Sequence, residues 1–312
     1  MDRVEIGKSG IKVSEVGLGM WQAGEKIWGA GAGYSEADCV QAMLRATELG
    51  VNLIDTAEGY AKGRSEEVVG QAVKAIGREN VVVATKVHHV HHDHVLRACE
   101  DSLTRLGLKE IDLYQLHAPD PWRQVSLRHT FRALERLHKE GKVRAIGVSN
   151  FAVRDLEEAR SLLSRTDIAS NQVRYNLIDR EVEEEVIPYC RREDITVLAW
   201  SPLAKGVVTG KYAPGTRPAD DLRKDSPYWR DSNQKEYERI LAPLRRIGAE
   251  RGKTPAQVAL NWLMREGGVV PIPGAKGPAQ AAENAGAAGW RLTATEAREL
   301  GEAARSLHLD LF

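Results

Sequence analysis

Residues 51–86 read VNLIDTAEGYAKGRSEEVVGQAVKAIGRENVVVATK, and this stretch decides the fold. It opens on a short β-branched apolar run at 51–55 and closes on another at 81–86. Between them Val68, Val69, Ala72 and Val73 fall at helical spacing. Short, continuously apolar runs suit strands buried on both faces, the habit of parallel sheets covered by helices. The pattern recurs along the chain, with further strand-like runs at 16–21, 111–117, 143–148, 168–173, 196–200 and 269–272, eight in all. Capping signals agree: Ser35 stands ahead of a helix at 36–49 with Asp38 three residues on, and Thr254 is followed by Pro255. Strands alternating with helices build either a doubly wound sheet or a closed barrel. Eight strands favour the α/β class as a (β/α)8 TIM barrel, and 312 residues fit one such domain over 1–312.

Two segments stand outside the repeat. Short runs at 4–6 and 11–13, joined through Gly7 and Gly10, predict an N-terminal β-hairpin able to plug one barrel end. Residues 212–234, rich in Pro, Asp, Arg and Gly and without helical periodicity, are expected to form a mobile flap. Forty-four basic and 44 acidic residues balance, so no long-range field favours nucleic acid or an anionic membrane, and a small-molecule partner is expected. The three cysteines, Cys39, Cys99 and Cys190, are odd in number and widely spaced, which suits a reducing compartment rather than a disulfide framework. The opening MDRVEIGKSGIKVSEVG has no apolar core, and no run of eighteen apolar residues occurs, so a cytoplasmic protein without a membrane span is expected.

Chemistry in such barrels sits at the C-terminal ends of the strands, so polar residues closing the apolar runs are the candidates. Asp55 closes the second run, with Tyr60 five residues on; Lys86 closes the third and His117 the fourth. A phenol titrates near 10, and an adjacent ammonium favours the phenolate, so Lys86 is expected to bring Tyr60 toward working pH as a general acid. An ion pair with Asp55 would keep the lysine charged and in place. His117 would orient a carbonyl and stabilise a developing alkoxide. Taken singly, each reads equally well as a structural ion pair or core hydrogen bond. Their placement on three consecutive strands favours machinery for reducing a carbonyl.

These residues resemble the aldo-keto reductases over essentially the whole chain. The resemblance is carried by Asp55-Thr-Ala-Glu-Gly-Tyr60, Gly63-Arg-Ser-Glu-Glu-Val-Val-Gly70, Ala84-Thr-Lys-Val87, Gly147-Val-Ser-Asn-Phe151, Asn171-Gln-Val173, Trp200-Ser-Pro-Leu203 and Ile272-Pro-Gly-Ala-Lys276, in that order. It implies a catalytic tetrad of Asp55, Tyr60, Lys86 and His117, with Tyr60 giving the proton and nicotinamide C4 the hydride that turns an aldehyde or ketone into an alcohol. By the same resemblance Ser149, Asn150 and Gln172 hold the nicotinamide carboxamide, and Trp200 stacks on the ring. Ser201, Leu203, Lys205 and Gly206 line the pyrophosphate path. The run LAKGVVTGKY at 203–212 looks like the prokaryotic and channel-β-like branches. The segment at 274–284, opening on Gly274, resembles the part that clamps the 2′-phosphate and adenine, with Lys276 for the phosphate and Gln280, Glu283 and Asn284 for the ribose and base. Many family members carry arginine where Gln280 stands, and glutamine cannot make the charged bidentate contact. NADPH is the expected cofactor, with NADH possible. Gly29, Gly31 and Gly33 lack the spacing and the strand-to-helix turn of a Rossmann fingerprint.

Trp21, Trp28, Trp122 and Trp229 fall on rim loops and are expected to line an apolar substrate pocket, the alternative being that each packs under its own loop. Trp262 and Trp290 are expected in or beside helices. His88, His89, His91, His92 and His94 cluster just after Lys86, but a loop cluster does not fix a coordination polyhedron, and no metal is expected. Two rival readings stay open: a nucleotide-binding regulatory or redox-sensing subunit with slow turnover, and a metal-dependent barrel hydrolase using the histidine loop. The identity of the carbonyl compound and the physiological direction do not follow from the residues, and the resemblance leans toward a monomer.

Overall fold

The computed structural model describes residues 1–88, 92–120, 126–212, 216, 218, 223 and 225–311. The chain begins with β1 (Arg3–Glu5) and β2 (Lys12–Ser14), an antiparallel pair with Val4 opposite Val13. Then follow β3 (Leu18–Gly19), α1 (Glu36–Glu48), β4 (Leu53–Asp55), α2 (Arg64–Ile76), β5 (Val82–Val87), α3 (His92–Leu106), β6 (Ile111–Leu116), α4 (Leu127–Lys139) and β7 (Val143–Ser149). The second half runs α5 (Val153–Ser161), β8 (Ile168–Arg174), α6 (Val186–Arg192), β9 (Thr196–Trp200), α7 (Asp231–Gln234), α8 (Glu238–Arg251), α9 (Pro255–Leu263), β10 (Val269–Pro271), α10 (Pro278–Ala285) and α11 (Ala294–Arg305).

Among the described residues, β3 to β10 form one eight-stranded parallel sheet in sequence order. Its ends meet: Gly17 N donates to Pro271 O at 2.9 Å, Gly19 N donates to Pro273 O at 3.1 Å, and Gly19 bridges Gly274 in parallel. The sheet is therefore the expected barrel. Local chemistry explains the helices around it. Ser35 and Asp38 form a reciprocal capping box at α1, Thr254 and Gln257 do the same at α9 behind Pro255, and Thr293 and Glu296 at α11. The buried face of α2 carries Val68, Val69, Ala72 and Val73, and α1 packs against both α2 and α10, closing the helical ring.

Below the middle of the barrel the interior is apolar. Leu53, Val82, Ala84, Leu113, Ala145, Ala169, Leu198, Val270 and Ile272 cluster with Ile6, Ile11 and Val13 of the hairpin, so β1 and β2 plug the N-terminal end as the sequence predicts. Gly7 turns the hairpin at φ +54°, and a Cβ there would stand 2.6 Å from the Ala169 carbonyl oxygen; both demands leave only glycine.

The expectation of a flap over 212–234 needs correction at its end. Residues 227–234 are ordered structure, with Tyr228 and Trp229 buried and Asn233 tied to the C-terminal segment through Asn233 Nδ2 to Asp310 O and Asp310 N to Asn233 Oδ1, both 2.8 Å. Burial of two aromatic rings fixes a stretch whose composition reads as loop. Residues 213–215, 217, 219–222 and 224 of that segment lie outside the described residues.

Candidate active site

Parallel register brings the predicted residues together. Asp55 lies opposite Ala84, Lys86 opposite Gln115, Gln115 opposite Gly147, and Ser149 opposite Gln172, so alternate side chains of five strands form one polar layer above the apolar one. Lys86 is fully buried and Asp55 2 % exposed. The lysine Nζ donates to Asp55 Oδ2 at 2.7 Å, to Thr56 O at 2.8 Å and to the Tyr60 hydroxyl at 3.1 Å. His117 follows β6 and stands edge-on to the Tyr60 ring at 5.7 Å, with His88 stacked on its other side at 5.0 Å. The four predicted residues thus form one contiguous group.

Their electrostatics differ from the expectation in one respect. Burial raises the Tyr60 phenol above its ordinary value and outweighs the opposing pull of Lys86, so the phenol stays protonated at neutral pH. The ammonium therefore does not prevail, contrary to the expectation from charge type alone. Burial also pulls the Lys86 ammonium down, but Asp55 and Tyr60 together hold it above its usual value. His117 is driven down to about 3, by burial first and then by Lys86 and His88, and is a neutral imidazole. Its Nδ1 is buried without a hydrogen-bond partner.

The residues assigned to the cofactor line the same mouth. Asn150, at φ +60°, donates through Nδ2 to His117 O (3.1 Å) and Ser149 Oγ (3.0 Å), and its Oδ1 accepts from Trp200 Nε1 at 3.1 Å. Ser149 Oγ donates to Gln172 O at 2.8 Å. The Arg174 guanidinium lies over the Trp200 indole at 4.8 Å. After β9 the backbone turns left-handed at Ser201, Ala204, Lys205 and Gly206, beside Leu203, and Lys205 Nζ donates to Ser226 Oγ at 3.1 Å. Non-glycine residues in that conformation are strained, and among the described residues all of them but Asp194 sit in loops on this rim: Ala61, Lys62, Asn150, Ser201, Ala204 and Lys205. Such a ring of amides, an exposed aromatic face and a half-buried lysine fits a flat heteroaromatic amide joined to phosphates.

At the adenosine end the structure shows bonds the sequence did not suggest. Lys276 Nζ donates to Trp28 O at 2.6 Å and lies 5.0 Å from the Tyr34 ring centre. Gln280 Oε1 accepts from Lys276 N at 2.7 Å, Asn284 Nδ2 donates to Gly274 O at 3.1 Å, and Glu283 O accepts from Gln257 Nε2 at 2.9 Å. Gln280 and Asn284 therefore hold the loop's own backbone.

Of the tryptophans, Trp21 is 39 % exposed, 6.0 Å from Tyr60 and edge-on to Trp28 at 5.2 Å, a wall beside the phenol. Trp229 is corrected: it is buried, edge-on to Tyr212 at 4.8 Å and close to Gly206, and so packs behind the turn instead of lining that wall. Trp122 lies outside the described residues, as do His89 and His91. Trp262 is buried on α9, as expected. Among the described residues, no group of three His, Cys, Asp or Glu is placed to hold a metal ion, no helix is long and apolar enough to cross a membrane, and the three cysteines are free and buried.

Sequence reasoning missed Gln115. Its Nε2 donates to Asp55 Oδ1 at 3.2 Å, alongside Gln172 Nε2 at 2.8 Å. The signal was its place two residues before His117, where strand alternation returns a side chain to the barrel interior. A cleft of about 250 Å³ at the other end, lined by Lys8, Arg144, Asp167 and Asp194, has its charges paired, as in Lys8 with Asp194 at 3.1 Å, and holds none of these groups.

Comparison with known proteins gives a consistent picture. The model of the Aldo/keto reductase family matches residues 15–305. The chain is 34 % identical to aldo-keto reductase YhdN of Bacillus subtilis (strain 168), over 96 % of this chain and 92 % of that one. The glycerol dehydrogenase AKR11B4 from Gluconobacter oxydans superposes with TM-score 0.86 at 32 % identity, covering 97 % of this chain and 94 % of that one. An aldo-keto reductase from Klebsiella pneumoniae in complex with NADPH superposes with TM-score 0.77 at 31 % identity, covering all of both chains.

Proposed function

The chain belongs to the aldo/keto reductase family, and from that premise we propose that it reduces an aldehyde or ketone to an alcohol with NADPH, the whole chain serving as one catalytic unit. One observation carries the reading: a single buried ammonium, Lys86 Nζ, bonded at once to the Asp55 carboxylate and the Tyr60 phenol. When bound, NADPH supplies the hydride equivalent for the carbonyl carbon. Ser149, Asn150 and Gln172 would hold its carboxamide and Trp200 its ring, with Ser201, Leu203, Lys205 and Gly206 along the pyrophosphate. Gly274, Lys276, Gln280, Glu283 and Asn284 would meet the adenosine end, where Lys276 is the cation for a 2′-phosphate and would exchange Trp28 O for it.

The chain's own groups then move the proton. Tyr60, kept protonated by burial, donates its hydroxyl proton to the carbonyl oxygen as that oxygen gains charge. The phenolate left behind is stabilised by Lys86, 3.1 Å away, and Asp55 keeps that lysine charged and aimed. Neutral His117 offers an N–H to the same oxygen, stabilising the developing alkoxide without giving up a net charge. Trp21 and Trp28 give the carbonyl compound an apolar face to lie against.

The test is oxidation of NADPH or NADH, followed at the nicotinamide absorbance band, with a panel of aldehydes and ketones, comparing wild type with Tyr60→Phe. Turnover lost in the variant with nucleotide affinity kept supports the reading. Tight nucleotide binding with no turnover on any panel member would instead favour a regulatory subunit.

A further inference from the structure

We propose that Gln115 is a positioning residue that fixes the Asp55 carboxylate, and through it the place and charge of Lys86, for the carbonyl reduction proposed above, on which reading the inference rests. A carboxylate held on one edge by a single ion pair can still rotate about its terminal bond, because that torsion is broad and two-fold. Asp55 is held on both edges. Oδ2 takes the Lys86 ammonium at 2.7 Å, while Oδ1 takes Gln172 Nε2 at 2.8 Å and Gln115 Nε2 at 3.2 Å. Gln115 Oε1 in turn accepts from Gln172 Nε2 at 3.3 Å. Carboxylate oxygens only accept, so both amides must present nitrogen to Asp55, and the orientation of each follows from the chemistry of its neighbour. Gln172 thus has its NH₂ turned toward Asp55 and Gln115.

A second observation shows that the barrel makes room for Gln115. On the neighbouring strand stands Gly147, opposite Gln115 in register, where a Cβ would lie 2.9 Å from Gln115 Cγ and 2.5 Å from Ser170 Oγ. A side chain there would displace the glutamine from its path to Asp55. Both Gln115 and Gln172 are buried, so no water substitutes for their donors. The charged and titratable groups facing Asp55 are Lys86 from β5 and Tyr60 from the loop after β4, with His117 beyond the phenol; β6 and β8 contribute the two neutral amides.

The test pairs Gln115→Met, which keeps bulk and loses the donor, with Gln115→Glu. In Gln115→Met, kcat is expected to fall 10- to 100-fold with KM for the nucleotide within 3-fold, because the carboxylate that aims Lys86 has lost a donor. In Gln115→Glu a protonated carboxyl can donate as the amide did, so activity returns at low pH and falls as the new carboxyl ionises beside Asp55. A role in packing alone would lower thermal stability and leave kcat of folded Gln115→Met near wild type; that result, or an activity of Gln115→Glu that does not return at low pH, overturns the inference. A readout in nucleotide-free protein separates its failure from that of the reductase reading. With lysine Nζ labelled by ¹⁵N and the Lys86 signal assigned through Lys86→Met, hydrogen exchange of the Lys86 ammonium is expected to quicken at least tenfold in Gln115→Met. Unchanged exchange overturns the role of Gln115 whether or not the wild type reduces carbonyls. Quickened exchange in Gln115→Met, together with a wild type that reduces no member of the panel, leaves Gln115 anchoring Lys86 and removes only the reaction.

Discussion

Replacing Asp55 by asparagine tests the central ion pair most directly. The change keeps the shape and the acceptor oxygen for Gln115 and Gln172, but it removes the charge opposite a fully buried ammonium and turns an N–H₂ group toward Lys86 Nζ, which has stood 2.7 Å from Oδ2. Stranding one partner of a buried pair costs about 3–5 kcal/mol. For a chain of this size about 1 kcal/mol corresponds to roughly 2 °C in Tm, so a fall of about 6–10 °C is expected at pH 7. The pH dependence carries the stronger test. In the wild type the Lys86 pKa is raised above its unfolded value, so its stabilisation is complete below that value and is lost only as pH climbs through the folded one. Without Asp55, burial dominates and depresses the folded pKa, so the variant gains stability as pH rises between its folded and unfolded values. The gap between the two melts must therefore shrink from pH 7 toward about pH 10, the ordinary range of a lysine. Circular-dichroism melts of both proteins across that range measure it. A Tm at pH 7 within 1 °C of wild type, or a gap that widens with pH, refutes the reasoning.

His117, at about 3, should show no imidazole titration by NMR between pH 5 and 8; because its folded value lies below the ordinary 6.5, it also costs stability as pH falls from 6.5, and His117→Gln should flatten Tm between pH 6.5 and 4. Lys276→Ala should raise KM for NADPH about 10- to 100-fold, the worth of one charged hydrogen bond, while leaving KM for NADH within 3-fold; equal effects on both would detach Lys276 from the 2′-phosphate. Gly7→Ala adds a Cβ 2.6 Å from the Ala169 carbonyl oxygen at φ +54°, and a loss of at least about 2 kcal/mol is expected by denaturant unfolding, since left-handed strain alone costs about 1–2 kcal/mol.

Most of the barrel is legible because its strands are buried on both faces and leave continuous apolar runs: the run at 196–200 is β9 to the residue. The run at 16–21 is longer than β3, Leu18–Gly19, because past Gly19 the chain turns away, with Met20 N on Asp55 O and Gln22 bonding back to Gly19 O and Ala275 O. Asp55, Lys86 and His117 stand out as polar ends of apolar runs. Gln115 does not, because it lies inside such a run beside Asp112, which is equally buried but faces outward to Arg78 and Arg144. Only register tells the two apart. The direction of the Tyr60 shift was likewise hidden, since charge type can be read from sequence and depth of burial cannot. Residue type marks Lys276 and Gln280 as ligands of a phosphate and a ribose; Lys276 instead donates to Trp28 O, on a loop 248 residues distant, and Gln280 accepts from Lys276 N within its own loop.

The hairpin beneath the barrel also sets the route for protons. Ile6, Ile11 and Val13 seal one end by packing on the apolar layer above them. Lys86 and Asp55 are closed to solvent in turn. In the proposed reaction, the mouth by which the carbonyl compound enters is then the open side from which Tyr60 regains its proton. Recharging the acid and emptying the pocket share that doorway, so proton uptake is expected to follow departure of the alcohol.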